Sequence, residues 1–588
     1  MYEVLNEING AEDVKKLSLE ELEILAEDIR EALFNRLTKV GGHFGPNFGM
    51  VEAEIALHYV FDSPKDKIIF DVSHQSYPHK IITGRKNGYI VDEDFGEDSG
   101  YTNPDESEHD LFNVGHTSTS VSLATGMAKA RDLLGGEENV IAVIGDGSLS
   151  GGEALEGLNV AGSEIKSNLI IVVNDNQQSI SETHGGIYRN LKELRETKGK
   201  SENNFFKAFG LDYIYTEDGN DIENMIRIFE EVKDIDHPIV VHMNTVKGKG
   251  YEPAVENREY WHWTMPFDRD TGKPFVDLNA GETYTNIAKK FILEKAKQDS
   301  SFVAITPNMP GSFAMSQKER ESMGEQFVDV GIAEEQAAAM ASGAAKAGAK
   351  PLVFTNVTFM QRAYDQISHD ICINKNPVTI LLNHASFNTL RDVTHLGIFG
   401  IAEFSNIPNL VVLCPSSKEE LLGMLDWSVE QRRHPVMILM PGNKVSCRPS
   451  DNNYDIINKF RVERKGKKLA ILGLGDFFQM GEALAEAVKE RFGFEPTVIN
   501  PRFASGVDAE LLEKLKENHE AVITLEDGIL DGGFGQKIAS FYGTSDMKVK
   551  NYGLKKEFYD RYNPKELLAS LGMDKESMLG DIGTLISL

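Results

Sequence analysis

Asp146 closes the apolar run VIAVIG and is followed at once by Gly147 and Ser148. A second apolar run, LIIVV, stops at Asn174-Asp175-Asn176. Between Gly147 and Asn174 lie 26 residues, room for a loop, one helix and a strand, so the two polar ends can lie side by side on adjacent parallel strands. Ligands collect at that edge of a parallel α/β sheet. A hard divalent cation such as Mg²⁺ suits the pair: Asp146 brings charge, Asn176 an amide oxygen, and a main-chain carbonyl just beyond, at Gln178, a third oxygen. Magnesium keeps positions for phosphate, which Gly147 would let approach the backbone and Ser148 would meet at the start of a helix. Either segment alone reads more readily as an ordinary turn, and it is the spacing that favours the metal.

These ends need a sheet to hold them, and the chain supplies the pattern for one. Ser18 and Glu21 have capping-box spacing before a helical repeat of apolar residues. Glycine-rich turns, short Val/Ile runs and helical windows then alternate to about residue 250, as in a parallel sheet covered by helices. The acidic stretch from Val91 to Asp110 and the polar stretch from Asn190 to Asn204 read as solvated loops or short exposed helices. A second α/β unit starts near Gly281, with FVAITP, FVDVGI, PLVFTN, VTILLN and LVVLCP as strands. After a polar linker from Asn443 to Asn458, a third unit follows with KLAILGLG, PTVINP and AVITLEDG as strands and a helix after Gly533. The expected fold class is therefore α/β, with three domains at 1–280, 281–445 and 455–588, each a mostly parallel sheet flanked by helices. Gly473-Leu474-Gly475 lacks the third glycine of a dinucleotide fingerprint, and Phe477-Phe478 fills the space a pyrophosphate would want, so a structural turn is expected.

Bulk properties narrow the partners. The 588 residues carry a formal charge of -30, which argues against nucleic acid as the main partner. No window approaches the ~18 unbroken apolar residues that a bilayer span needs, so no membrane association is expected. The first residues show no apolar stretch behind a basic start, which favours a cytoplasmic location. Three cysteines, Cys372, Cys414 and Cys447, have no C-x-x-C spacing and imply neither a disulfide framework nor a zinc knuckle.

A G-D-G element followed some 26 residues later by an asparagine-bearing strand end is similar to the thiamine diphosphate signature. Its neighbours are GGHFGPNFGMVEAEIALHYVF, DVSHQSYPHKIITGR, VGHTSTSVS, GKGYEPA, IAEEQ and TFMQRAYDQISHD. Together they resemble the 1-deoxy-D-xylulose-5-phosphate synthases, relatives of transketolase that join pyruvate to glyceraldehyde 3-phosphate. The resemblance runs from about Gly41 to the C-terminus and implies a three-domain transketolase-like fold, thiamine diphosphate with Mg²⁺, and a homodimer. It implies that Glu334 bonds the aminopyrimidine ring and that Phe359 packs on it. Gly115, His116 and Thr117 match a diphosphate contact and Tyr251 a cofactor-contacting tyrosine, with Lys247 nearby on a flexible stem. His43, His74 and His395, with His262 of WHW as a weaker fourth, match histidines around the reacting carbon, and imidazole titrates where proton transfer needs it. His74 also counts among the cofactor contacts; a zinc pair of His74 and His79 is the disfavoured alternative.

The resemblance breaks on the acceptor side. Where the family grips a phosphate with two arginines, this chain has His384 and the turn LMPGN, with Pro441 or a gap in place of the second. The tyrosine before the T-F motif is Asn356, and the aspartate of D-G-x-T-H is Arg391. Losing one bidentate arginine costs on the order of 1.5 to 3 kcal/mol. Arg391, Arg362 and Lys444 are the candidates to compensate. The expectation is a thiamine enzyme that decarboxylates pyruvate and joins the two-carbon unit to an aldehyde, smaller or unphosphorylated. The competing readings are ketol transfer of the transketolase type and a non-catalytic paralogue that binds the cofactor. The chain is also short between Glu182 and Phe205 relative to the family.

Overall fold

The computed structural model describes residues 2–180, 183, 185–276 and 281–586. The chain divides into two compact units, Met1–Leu278 with Gly331–Ala333, and Asn279–Val330 with Glu334–Leu588. Glu182, where the shortened stretch begins, lies outside the described residues.

In the first unit the helix Leu19–Val40 opens as its sequence requires. The Ser18 side chain accepts from Glu21 N–H while the Glu21 carboxylate accepts from Ser18 N–H, and Leu22, Leu25, Ile29, Leu33 and Leu37 form its buried stripe. Seven strands follow: β1 Gly42–His43, β2 Lys67–Phe70, β3 Val140–Gly145, β4 Leu169–Asp175, β5 Asp212–Thr216, β6 Pro238–Asn244 and β7 Trp263–Thr264. Five form one sheet in the order β2-β3-β4-β6-β5, parallel throughout, and β1 pairs antiparallel with β7. A parallel sheet is covered on both faces, so its strands are apolar without a break. Ile141, Val143, Ile170 and Val172 belong to one core, and Val140, Ala142, Ile144, Ile171 and Val173 to the other.

The acidic stretch from Val91 to Asp110 is less solvated than its composition suggests. Asp110 is 3% exposed and takes two bonds from the Arg85 guanidinium, at 2.7 and 2.8 Å, and one contact from His79 at 2.9 Å. Glu106 accepts from the buried Lys80 ammonium at 2.6 Å. The acids are drawn inward by cations of the YPHKIITGR segment, a pairing that composition does not reveal. The stretch from Asn190 to Asn204 carries most of a helix, Gly186–Glu196, which buries Leu191 and Leu194.

The second unit holds two sheets. The first contains β8 Phe302–Thr306, β9 Phe327–Asp329, β10 Lys350–Asn356, β11 Thr379–Asn383, β12 Val411–Leu413 and β13 Val436–Leu439, all parallel, in the order β12-β13-β11-β10-β8-β9. The other contains β14 Arg461–Arg464, β15 Lys468–Gly473, β16 Thr497–Asn500, β17 His519–Ile529 and β18 Lys548–Leu554, in the order β14-β16-β15-β17-β18 with only β14 antiparallel. One apolar core runs through both, from Ile380, Leu382 and Val412 to Leu472, Ile499 and Val522. After β15, a Cβ on Gly473 would meet the Phe478 backbone at 2.6 Å, and Phe477 and Phe478 are buried. The Gly473-Leu474-Gly475 turn is thus filled by its own chain. Among the described residues no helix is long and apolar enough to cross a membrane.

Candidate active site

In the first unit β3 and β4 are neighbours, with Gly145 opposite Asn174, so Asp146 and Asn176 leave the same edge of the sheet from adjacent strands. Asp146 begins a short 3-10 turn, Asp146–Ser150, and is 1% exposed. Gly147 follows because the space beside it is taken: a Cβ there would lie 2.7 Å from Ser179. The Gly115–Thr117 segment runs into the same region. Ser118, at φ 77°, donates through its hydroxyl to Ser148 C=O at 2.8 Å, and the buried Asp71 accepts from Ser118 N–H and Ser120 N–H. On the other side Gln177 sits at φ 65°, and Asn176 Oδ1 accepts from Gln178 N–H at 3.2 Å, which fixes the amide and leaves its oxygen a second lone pair.

The two acids at this edge differ in their partners. Asp175 is met by Arg195 and by His242 at 2.9 Å. Asp146 Oδ2 is buried without a hydrogen-bond partner. Burial, then the neighbouring Asp175 carboxylate, push the Asp146 carboxyl well above the usual range, with Lys247 pulling the other way. Lys247 is not the flexible cation its stem suggests. It is 2% exposed and donates to Ser179 C=O at 2.6 Å and to His262 Nδ1 at 2.9 Å. Burial pulls its pKa down to about 7.

A buried carboxylate oxygen with no donor, beside an amide oxygen, suits a hard cation. Among the described residues no group of three His, Cys, Asp or Glu is disposed to hold a metal. The set Asp146, Asn176 and Gln178 C=O contains a single such residue, so it fits an ion that takes its remaining oxygens from phosphate and water.

Three of the four expected histidines meet in this unit. The ring centroids of His43 and His74 are 5.0 Å apart, those of His74 and His262 5.3 Å, and those of His43 and His262 5.7 Å. The β1–β7 pairing, with His43 opposite Trp263, brings two of them in, and Asn47 Nδ2 donates to both His43 C=O and His74 C=O at 2.8 Å. Burial, then Lys247 and the other two imidazoles, hold His262 well below its ordinary pKa. Tyr251 packs edge-on to Phe34 and Trp261 in an aromatic cluster, with centroids at 4.9 and 5.0 Å. His79 faces His58 at 2.9 Å and Asp110, which accounts for its ring without a zinc shared with His74.

The second unit gathers the others. Glu334 starts the helix Glu334–Lys346, is 2% exposed, and has Oε2 without a partner. Burial pushes its pKa up to about 7 against the pull of Arg362. Phe359 meets His395 edge-on at 5.5 Å. His384 takes a left-handed backbone, φ 55°, directly after β11, and its Nδ1 is buried without a partner. Burial, then His395, push it down to about 4. Arg391 departs from this group: it is exposed, and its guanidinium donates to Tyr562 C=O at 3.5 Å. The carboxylate beside His395 is that of Asp392, 3.5 Å from Nδ1 and bonded to Thr394 N–H at 2.9 Å. The sequence carries that signal as D-x-T-H, shifted by one residue from the position where Arg391 stands.

Comparison with known proteins agrees with this layout. Residues 5–203 and 195–245 match the family described as 1-deoxy-D-xylulose-5-phosphate synthase, residues 281–446 the transketolase pyrimidine binding domain, and residues 458–578 the transketolase C-terminal domain. These segments and the three sheets define an enzyme of the transketolase class. The 1-deoxy-D-xylulose-5-phosphate synthase of Natranaerobius thermophilus is 36% identical over 99% of this chain and 98% of its own. That of Clostridium perfringens is 36% identical over 98% of this chain and 99% of its own. The chain belongs to the 1-deoxy-D-xylulose-5-phosphate synthase family. The solved transketolase from Leishmania mexicana is a distant likeness, 16% identical with a TM-score of 0.44 over 97% of each chain.

Proposed function

We propose that this enzyme uses thiamine diphosphate and Mg²⁺ to decarboxylate pyruvate and join the two-carbon unit to an aldehyde. The observation that carries the reading is the buried Asp146 Oδ2 without a donor at the carboxyl end of β3, beside the Asn176 turn. Asp146, Asn176 and the Gln178 carbonyl would hold Mg²⁺. Gly147 and Ser148, with Gly115, His116 and Thr117, would receive the diphosphate, and His74 and Tyr251 would complete the cofactor contacts. The cofactor, when bound, supplies the electron sink for the carbanion left by decarboxylation.

Glu334 would hold one proton at the aminopyrimidine, a task that suits a carboxyl near pH 7, and Phe359 would pack on that ring. His43, His74, His262 and His395 would move protons at the reacting carbon and the acceptor carbonyl. Arg362 and His384 would meet the acceptor. Neutral His384 in place of an arginine, and Arg391 drawn off to Tyr562, favour an aldehyde with little or no phosphate. The stretches 1–280, 281–445 and 455–588 would act as three domains of a cytoplasmic homodimer.

Steady-state kinetics with pyruvate and paired aldehydes test the reading. Release of carbon dioxide from pyruvate, with kcat/KM for glyceraldehyde exceeding that for glyceraldehyde 3-phosphate, is the expected result. A kcat/KM that favours the phosphorylated aldehyde would overturn the acceptor assignment, and ketol transfer between sugar phosphates without carbon dioxide would overturn the whole.

A further inference from the structure

Two acids of the β14–β18 sheet reach the loops that follow β11 and β13. Asp527 lies in β17, where its pairing with β18 shifts register, and Asp476 lies just past β15. Asp527 Oδ2 accepts from the Ser386 hydroxyl at 2.5 Å, and its Oδ1 from Phe387 N–H at 2.9 Å. Asp476 Oδ2 accepts from Gly442 N–H at 2.6 Å and Asn443 N–H at 3.2 Å. The two loops are interlocked: a Cβ on Gly442 would lie 2.5 Å from the Ser386 Cβ and 2.6 Å from the Thr389 methyl, and Asn388 donates to the Asn443 amide oxygen at 2.6 Å. Tyr562 adds a third tie, its hydroxyl donating to Phe387 C=O at 2.6 Å.

The first of these loops carries His384 and His395, and the second is the LMPGN turn. We propose that Asp476 and Asp527 are positioning residues that set these two loops, and through them which aldehyde the enzyme accepts. The proposal rests on the acceptor side assigned above. Its physical basis is that a loop is fixed by its backbone donors, and here the donors of two loops converge on carboxylates from a different sheet. The strained backbone of His384, one residue beyond the sheet, needs such an external hold. Burial pushes both carboxyls upward, and Asp527 is raised further by Asp476. The pair is therefore held by the loops as much as it holds them.

The test uses the full chain with Asp527→Ala, Asp527→Asn and Asp476→Asn, read by kinetics and by hydrogen exchange with mass spectrometry. Losing a bond to a buried carboxylate should raise the aldehyde KM of Asp527→Ala by about tenfold or more while pyruvate KM stays within about twofold. Asp527→Asn, which keeps an acceptor oxygen, should return most of that loss, and Asp476→Asn, which also keeps one, should shift the aldehyde KM by less than Asp527→Ala does. In Asp527→Ala, exchange should rise in peptides covering 383–395 and 440–443 and stay unchanged across 1–276. Equal changes in both KM values, or an aldehyde KM left unaltered, would overturn the role in acceptor selection. Unchanged exchange in those two segments, or a rise spread over the chain, would overturn the positioning itself. If wild type turns over no aldehyde, the acceptor reading fails separately, and exchange still decides whether the acids hold the loops.

Discussion

Lys247 Nζ lies 2.9 Å from His262 Nδ1, both groups stripped of water, the lysine within the field of Asp146. An ammonium in that place is driven toward its neutral form, and Nδ1 of the neutral imidazole accepts from it. The pair therefore differs from a surface lysine in two measurable ways.

The first measure is stability. The Lys247 pKa is about 7 in the fold and near 10.4 in an unfolded chain, so between those values the unfolded state binds more protons and stability rises with pH. The slope approaches about 1.4 kcal/mol per pH unit for this group. Lys247→Met should remove that contribution, seen as a flatter dependence of urea unfolding between pH 7 and pH 9. The second measure is rate: the same variant should lower kcat/KM by about a hundredfold and remove an ionisation near pH 7 from the pH profile.

Asp146 sets ligand binding against stability. Its raised pKa means that the folded chain holds a proton that the unfolded chain releases, so the group destabilises the ligand-free protein as pH climbs above about 4. Asp146→Asn should raise the melting temperature without ligand by about 2–4 °C, the shift expected for roughly 1 kcal/mol in a unit of this size. It should also weaken calorimetric binding of thiamine diphosphate with Mg²⁺ by about ten- to a hundredfold. A loss of both properties together would contradict the assignment.

Glu334→Gln keeps the size of the side chain and removes its titration. We expect kcat to fall by about 10² to 10⁴ while circular dichroism stays as in wild type and melting is equal or higher, since a buried carboxyl with a raised pKa is lost. Because burial raises this carboxyl to about 7, the wild-type kcat profile should change slope there, and the variant should lose that step and keep only the one due to Lys247.

The His58–His79–Asp110 chain makes the first unit sensitive to acid. Burial holds His58 well below its ordinary pKa, and His79 at about 4. Both are neutral in the fold, so the stability present above about pH 6.5 is lost as pH falls toward 4, where the unfolded state takes up the protons. Denaturant midpoints should fall steeply from pH 7 to pH 5. Asp110→Asn, which leaves Arg85 and His79 without their buried acid, should cost about 3–5 kcal/mol at pH 7.

The parallel strands were the legible part of the fold, because burial on two faces writes an uninterrupted apolar run. VIAVIG, LIIVV and TILLN show this. β13, β14 and β18 were not picked out: β14 reads RVER and β18 reads KVKNYGL, charged segments at the edges of their sheet. The adjacency of Asp146 and Asn176 followed from a spacing that a single crossover fills. Within 91–110 Asp92, Glu93, Glu97, Asp105 and Glu108 are exposed as composition suggests, whereas Glu106, Asp110 and Lys247 depart from it for a shared reason. Composition reports what water would do to a charge, and these charges are buried by partners such as His262, Arg85 and Lys80, beyond any local pattern. Asp392 is not legible by position, because the family's aspartate aligns with Arg391 and the acid that faces His395 stands one residue further on.

The apolar core that passes from β11 and β12 into β15, β16 and β17 has a consequence for how this gene can be rearranged. Cutting the chain in the irregular stretch after β13 would divide that core, leaving Ile380, Val412 and Cys414 on one fragment and Leu472, Ile499 and Val522 on the other. A fragment ending there would carry only its own half of that core, so the two sheets are best expressed and engineered together.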